Sequence, residues 1–371
     1  TSPADTSPGS RSQADTSQAD ISQDRRSRVD VVIPCYNYGR FLGGCVAGAL
    51  DDQPGVDVRV LIIDDASQDD SAEVAQKLAA GDDRIEVKIH EVNRGHIATF
   101  NEGLMDWAEG DYCVLISADD RLAPGALRRA ADLMDAHPEV GFVFGNAVEF
   151  HDDDHMPQAR TERRGQTIWP GHKWIKKRFH DANTCVFSPE VVVRTSLQHR
   201  VGGYSPYLVH TSDAEMWMRL AAYADVGFLR ADQAYYRRHD KNMSLELGNQ
   251  LVTLSQLRAA FEGMLRQCAD VLPDAAELSA AVHKKLAKDA LWSAFRAYDR
   301  HRTDRVPVDG LVTFAFDCWP DAARLINYRS LQLRRLIGPT VMPYLQPLIV
   351  SAVTHHVQDR WRWHRRLRRG I

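Results

Sequence analysis

Val58–Ser67 reads VRVLIIDDAS, and two other stretches have the same form: VDVVIPCYN over Val29–Asn37 and YCVLISADD over Tyr112–Asp120. Each is a short run rich in Val and Ile that stops on a polar cluster. Runs of this kind, separated by helical patterns, read as parallel strands buried on both faces. In such sheets ligands sit beyond the carboxyl ends of the strands. Asp64, Asp65, Asp119 and Asp120 are therefore expected along one crevice edge. Adjacent like charges disfavour ionisation, so that edge calls for a cation and a hydroxylated, nucleotide-like ligand.

Outward from these strands the pattern alternates. Helices are expected over about 38–51, with Asn37 as N-cap, and from Ser67 to Ala80, with Ser67 and Asp70 as a capping box. A strand follows at Ile85–His90, then a helix at about 96–108. A helix opening with Pro124 ends before Pro138, and a strand covers Val140–Val148. The succession predicts an α/β, doubly wound, mostly parallel sheet. Residues 151–180 are polar, basic and Trp-containing, and read as an excursion or mobile loop. Beyond Leu245 the pattern is helical, with a break near Pro339 and Pro343.

The 371 residues carry a net charge of −4, which gives no general reason to expect nucleic-acid binding. Residues 1–28 hold two copies each of ADTS and SQAD and form a low-complexity tail that cannot bury a core. The six cysteines are scattered without C-x-x-C spacing and read as reduced thiols. With no signal-peptide pattern and no run of about 18 apolar residues, the expectation is a cytoplasmic protein. The C-terminal WRWHRRLRR (Trp361–Arg369) follows the apolar, proline-broken stretch Val341–Val353. It fits either peripheral contact with the inner face of an anionic membrane through 341–369, or docking on this chain or a second copy in a homo-oligomer.

Taken in order, VVIPCYNYGRFL, LIIDDASQDDS, NRGHIATFNEGL, ISADDRLAPGAL, TSDAEMWMRLA and YYRRHDKNMS resemble the motifs of inverting family 2 glycosyltransferases of the GT-A fold. The likeness covers about residues 29–244, as a nucleotide-sugar half (29–150) and an acceptor half (151–244), followed by a helical region over 245–371. It implies transfer of a sugar from a nucleotide-diphosphate donor, UDP-linked by preference, to a hydroxyl of a glycan, lipid-linked or natural-product acceptor.

Residue by residue, Pro34, Tyr36 and Asn37 would lie under the base, and Asp65 would accept from the base or ribose. Gly95 allows close approach to a diphosphate. Asn101 would reach the nucleotide, and Arg94 or His96 would replace the Arg that many relatives carry where this chain has Phe100. By position Asp119 would contact ribose, while Asp120, with His239, would ligate Mg²⁺ or Mn²⁺. Arg237 or Arg238 would pair with phosphate oxygens.

Asp213 is the expected general base. Ser212 and Glu215 read as the capping box of its helix, leaving Asp213 at the first helical position, where the positive helix end would hold it ionised. Trp217 reads either as a floor for the acceptor sugar or as core beside Met216 and Leu220. Asn183, Ser188, Arg194 and Val201–Tyr204 would shape the acceptor side. Two other functions fit less of the sequence. A sugar-1-phosphate nucleotidyltransferase needs a glycine- and lysine-bearing loop where PCYNYGRFL stands, and an inactive nucleotide-sugar scaffold has no need of all four acids.

Overall fold

The computed structural model describes residues 26–183, 186–240, 242, 250–345 and 369–370. The predicted strands and helices of the first 150 residues are present: β1 (Arg28–Cys35), α1 (Gly39–Leu50), β2 (Asp57–Asp64), α2 (Ser71–Gly81), β3 (Ile85–Ile89), α3 (His96–Asn101), β4 (Tyr112–Leu115), β5 (Arg121–Leu122), α4 (Ala126–Ala136) and β6 (Val140–Phe150). The third strand run is shorter than its sequence pattern, because the chain turns at Ile116–Asp120 before pairing again as β5. α3 continues as a π-helical turn over Glu102–Trp107, a wide geometry that recurs at functional sites.

Residues 151–180 are not a bare excursion. They contain β7 (Gln166–Trp169) and most of α5 (Gly171–Asp181). The signal was Trp174, Ile175 and Phe179, spaced for one helix face, and all three are buried. Then come β8 (Val192–Arg194), α6 (Thr195–Val201), α7 (Ser212–Ala221) and the long β9 (Asp225–Arg237).

Among the described residues, nine strands form one sheet in the order β3-β2-β1-β4-β8-β6-β9-β5, with β7 also paired to β9. β1 to β4 pair in parallel, β8 runs against both β4 and β6, and β6 pairs in parallel with β9. The double reversal through β8 brings β6 and β9 back to the direction of β4. The segments after β1, β2, β3, β4 and β9 therefore leave the sheet at one rim. That rim carries Asp64, Asp65, Asp119 and Asp120.

One apolar core lies on each face of the sheet. The first includes α1 and α4 with Val31, Ile33, Val60 and Ile62. The second runs without a break from Val32, Phe142 and Phe228 through Trp217 into α8 (Gln250–Gln267), α9 (Ala275–Asp299), α10 (Val308–Cys318) and α11 (Ile326–Ile337). Phe179 of α5 meets Phe261 of α8 edge-on at 4.8 Å. A short α12 (Met342–Leu345) contains Pro343, where a break was expected.

A buried ion pair joins two of these helices: Arg334 Nε donates to Asp299 Oδ1 at 2.7 Å. The five cysteines among the described residues are free and buried. No described helix is long and apolar enough to cross a membrane. Most of Trp361–Arg369 lies outside the described residues, but the Arg369 carbonyl accepts from Trp169 Nε1 at 2.9 Å on the β7 edge.

Candidate active site

The site starts where β2 ends. Ala66 has φ of +60° and Asn37 of +59°, left-handed values that a side chain adopts at a cost. Asn37 does not cap α1. Its N–H donates to Ser67 Oγ (2.9 Å) and its Oδ1 accepts from Gln68 N–H (2.8 Å), stitching the first two rim loops together. Nor do Ser67 and Asp70 form a capping box. α2 begins at Ser71, whose N–H donates to Asp69 Oδ1 at 3.0 Å. Asp64 closes the turn by accepting from Ser67 N–H. Tyr36 lies next to these loops, 43% exposed, and Pro34 is half-buried.

Asp65 is held by donors. Oδ1 accepts from Arg94 N–H (2.8 Å) and faces His90 Nδ1 (2.8 Å), while Oδ2 accepts from Gly95 N–H (2.9 Å). Burial pushes this carboxyl up, but the Arg94, His90 and Gly95 hydrogen bonds outweigh it, and the net shift is downward. Gly95 is needed for its conformation, φ +84°, which turns its N–H toward the carboxylate. The Arg94 guanidinium is committed to Glu102 at 3.3 Å, and His96 Nε2 to the Val209 carbonyl at 3.0 Å.

His90 was missed by the sequence reading, although a polar residue closing a parallel strand is the same signal that picked out Asp64. It is buried, with Nε2 facing Glu102 Oε2 at 2.9 Å.

Asn101 does not face the nucleotide side. Its amide nitrogen donates to the Tyr204 carbonyl (2.9 Å) and its oxygen accepts from Tyr204 N–H (2.6 Å), and a Cβ at Gly203 would lie 2.5 Å from that oxygen. The carboxamide is used up in docking the Gly202–Tyr204 turn against α3.

At the end of β4, Asp119 and Asp120 are 6% and 3% exposed. Asp120 Oδ1 accepts from Arg237 N–H at 2.9 Å, and the Arg237 guanidinium donates to the Asp119 carbonyl and to Asp153. That guanidinium lies 4.3 Å from the ring centres of both Phe41 and Phe150, so it is a fixed part of the wall rather than a free phosphate ligand. Arg238 pairs with Glu149. His239 Nε2 faces Asp119 Oδ2 at 3.0 Å, not Asp120, and its ring packs on Tyr38 and Phe41. Burial and then the Asp119 charge push the Asp120 carboxyl well up.

Among the described residues no group of three or more His, Cys, Asp or Glu side chains is placed to hold a metal ion. Two adjacent buried carboxylates with a His alongside still fit a hard dication that takes the rest of its shell from phosphate oxygens and water.

Ser212, not Asp213, opens α7 with Thr211 as N-cap, so Asp213 is the second helical residue, and no side-chain cap is made. Glu215 is not a capping partner. It pairs with Arg219 and accepts from Gln267 Nε2 (2.9 Å), while Arg219 donates to the carbonyls of Val201 and Gly203, both at 2.7 Å. The helix end does not hold Asp213 low either. Burial raises its carboxyl to about 6, against a weaker pull from the N–H groups of Ala214 and of Asp213 itself. Burial, with the Asp213 charge second, also pushes the Tyr204 phenol up.

Trp217 is core, 3% exposed between Phe142 and Tyr204, and offers no ring face to an acceptor. Tyr207, six residues before Asp213 in the chain, is by contrast 89% exposed. Arg194 is likewise structural, bonded to the Val140 and Met134 carbonyls.

Residues 30–196 match the family model for glycosyl transferase family 2. An uncharacterised protein of Mycobacterium tuberculosis is 26% identical over 227 residues, 57% of this chain and 67% of its own length. The chondroitin synthase of Pasteurella multocida is 26% identical over 222 residues, 59% of this chain but only 21% of that protein. Residues 1–349 of TarS from S. aureus, in a crystal structure with UDP, share the fold at a TM-score of 0.56 and 15% identity, covering 87% of this chain and 92% of that one. The sheet order, the acidic rim and these matches define a GT-A type architecture. By the family-model match residues 30–196, a little under half of the chain, are a glycosyl transferase family 2 region.

Proposed function

We propose that the protein is an inverting glycosyltransferase that moves a sugar from a nucleoside-diphosphate donor, UDP-linked by preference, to an acceptor hydroxyl. The acceptor class is a glycan, lipid-linked or natural-product hydroxyl. The observation that carries the reading is the buried Asp119–Asp120 pair at the rim, whose charge is only partly met by Arg237 and His239 and which therefore suits a cation-bound diphosphate.

In this reading Tyr36 and Asp65 receive the nucleoside, Asp119 the ribose, and Asp120 with the neighbouring His239 would hold Mg²⁺ or Mn²⁺. A dication bound there would supply charge neutralisation for the departing nucleoside diphosphate. Asp213 takes the proton of the acceptor hydroxyl as its oxygen attacks the anomeric carbon from the face opposite the leaving group. That geometry inverts the anomeric centre. A carboxyl near 6 suits the task, because it is ionised at neutral pH yet basic enough to accept a proton. Residues 29–150 act as the donor half, 151–244 as the acceptor half and the helices within 250–345 as a buttress. The basic terminus within 341–369 would contact an anionic membrane surface at the inner face of the cell membrane or dock on this chain or a second copy.

Calorimetric titration of UDP, dTDP and GDP, each with and without Mn²⁺, tests this. Metal-dependent binding of one diphosphate is expected. Absence of binding by all three, with metal, overturns it.

A further inference from the structure

We propose that His90, backed by Glu102, is a positioning residue for nucleoside recognition, fixing Asp65 so that a single acceptor position remains for the ligand. The inference rests on the reading of Asp65 as the nucleoside-binding carboxylate.

A carboxylate has about four lone-pair positions. In Asp65, Arg94 N–H and His90 Nδ1 occupy two on Oδ1, and Gly95 N–H occupies one on Oδ2. One position on Oδ2 is left. A ligand is therefore selected for one N–H or O–H donor at that point, such as the imide N–H of uracil or thymine, or the ring N–H of guanine.

Both His90 nitrogens face carboxylate oxygens, Asp65 at 2.8 Å and Glu102 at 2.9 Å, and carboxylates only accept. His90 thereby bridges the two carboxylates. Glu102 is held in turn by Lys88 and by Arg94 Nη1 at 3.3 Å. The series Lys88–Glu102–His90–Asp65 thus runs from an exposed ammonium through a half-buried carboxylate to two buried side chains at the site. The π-helical turn contributes: Asn101 and Glu102 are sequence neighbours, yet the first grips Tyr204 and the second grips His90.

Two substitutions separate positioning from mere packing. In His90→Asn the amide nitrogen takes the place of Nδ1 and keeps the donor to Asp65, while the contact to Glu102 is lost. In His90→Gln the longer amide reaches toward Glu102 and leaves Asp65 unserved, although Gln is closer to His in volume. UDP titrated in Mn²⁺ is expected to bind His90→Asn within about threefold of the unmodified protein. His90→Gln is expected to bind about tenfold to a hundredfold more weakly, the scale of a lost hydrogen bond to a charged group. KM for the donor sugar should move in step, with kcat nearly constant.

Equal affinities for the two variants, or a stronger Gln variant, overturn the proposal. Asp65→Asn distinguishes the two layers. If it binds UDP normally, the nucleoside reading of Asp65 fails and the proposal with it. If it loses UDP while both His90 variants bind normally, only the role of His90 fails.

Discussion

Asp65 and Asp213 are both aspartates of the candidate site, and their surroundings are opposite. Asp65 is met by three donors and its carboxyl is shifted down, whereas Asp213 is half-buried with only the N–H groups of the helix start and is raised to about 6. The difference lies in the donors, not in the residue type. A carboxylate met by several N–H groups is a permanent anion suited to holding a ligand. One deprived of them takes and gives protons near neutrality, which suits chemistry.

The comparison is broken most severely by removing the proton acceptor. Asp213→Asn is expected to lower kcat by about 10² to 10⁴-fold with UDP affinity unchanged, measured by single-turnover assay beside calorimetry. An equal loss of UDP affinity would place Asp213 with the binding carboxylates. Glu215→Ala, two residues away, should damage the scaffold instead. It strands Arg219 in the core and is expected to cost about 3–5 kcal/mol in a urea melt.

Asp65→Ala should do the converse of Asp213→Asn, weakening UDP by about tenfold or more while kcat at saturating donor changes little. The smallest effect is in pH. Because Asp213 must be ionised to act, kcat/KM should rise about tenfold per pH unit up to a limb near 6, then level off. Asp65, held down by its donors, should stay ionised across that range. The same raised carboxyl binds its proton more tightly in the folded than in the unfolded chain. Its contribution to stability is therefore complete below about pH 4 and is lost as the pH climbs through about 6.

The strands and the acids at their ends were legible because burial on both faces writes a continuous apolar run, and a run that stops on Asp-Asp marks its carboxyl end. Helix starts were not: Asn37, Ser67 and Ser212 all have capping chemistry, yet Asn37 and Ser67 are used between loops and none of the three caps a helix. Long-range polar partners were equally hidden. Nothing local says that Asn101 spends its amide on Tyr204, 103 residues on, or that Arg237 braces Asp119 and Asp120 from β9. Asp30, fully buried inside an apolar strand, is similarly explained only by Arg59 and the N–H groups of Glu109 and Gly110.

β3 closes one edge of the sheet, and an edge strand is where a foreign chain most readily adds itself. Its sequence IEVKI places Glu86 and Lys88 among the apolar residues, the charged interruption that discourages such growth. Lys88 also grips Glu102. Colloidal behaviour and donor recognition thus share one side chain, and a change there made for solubility would be felt in the crevice.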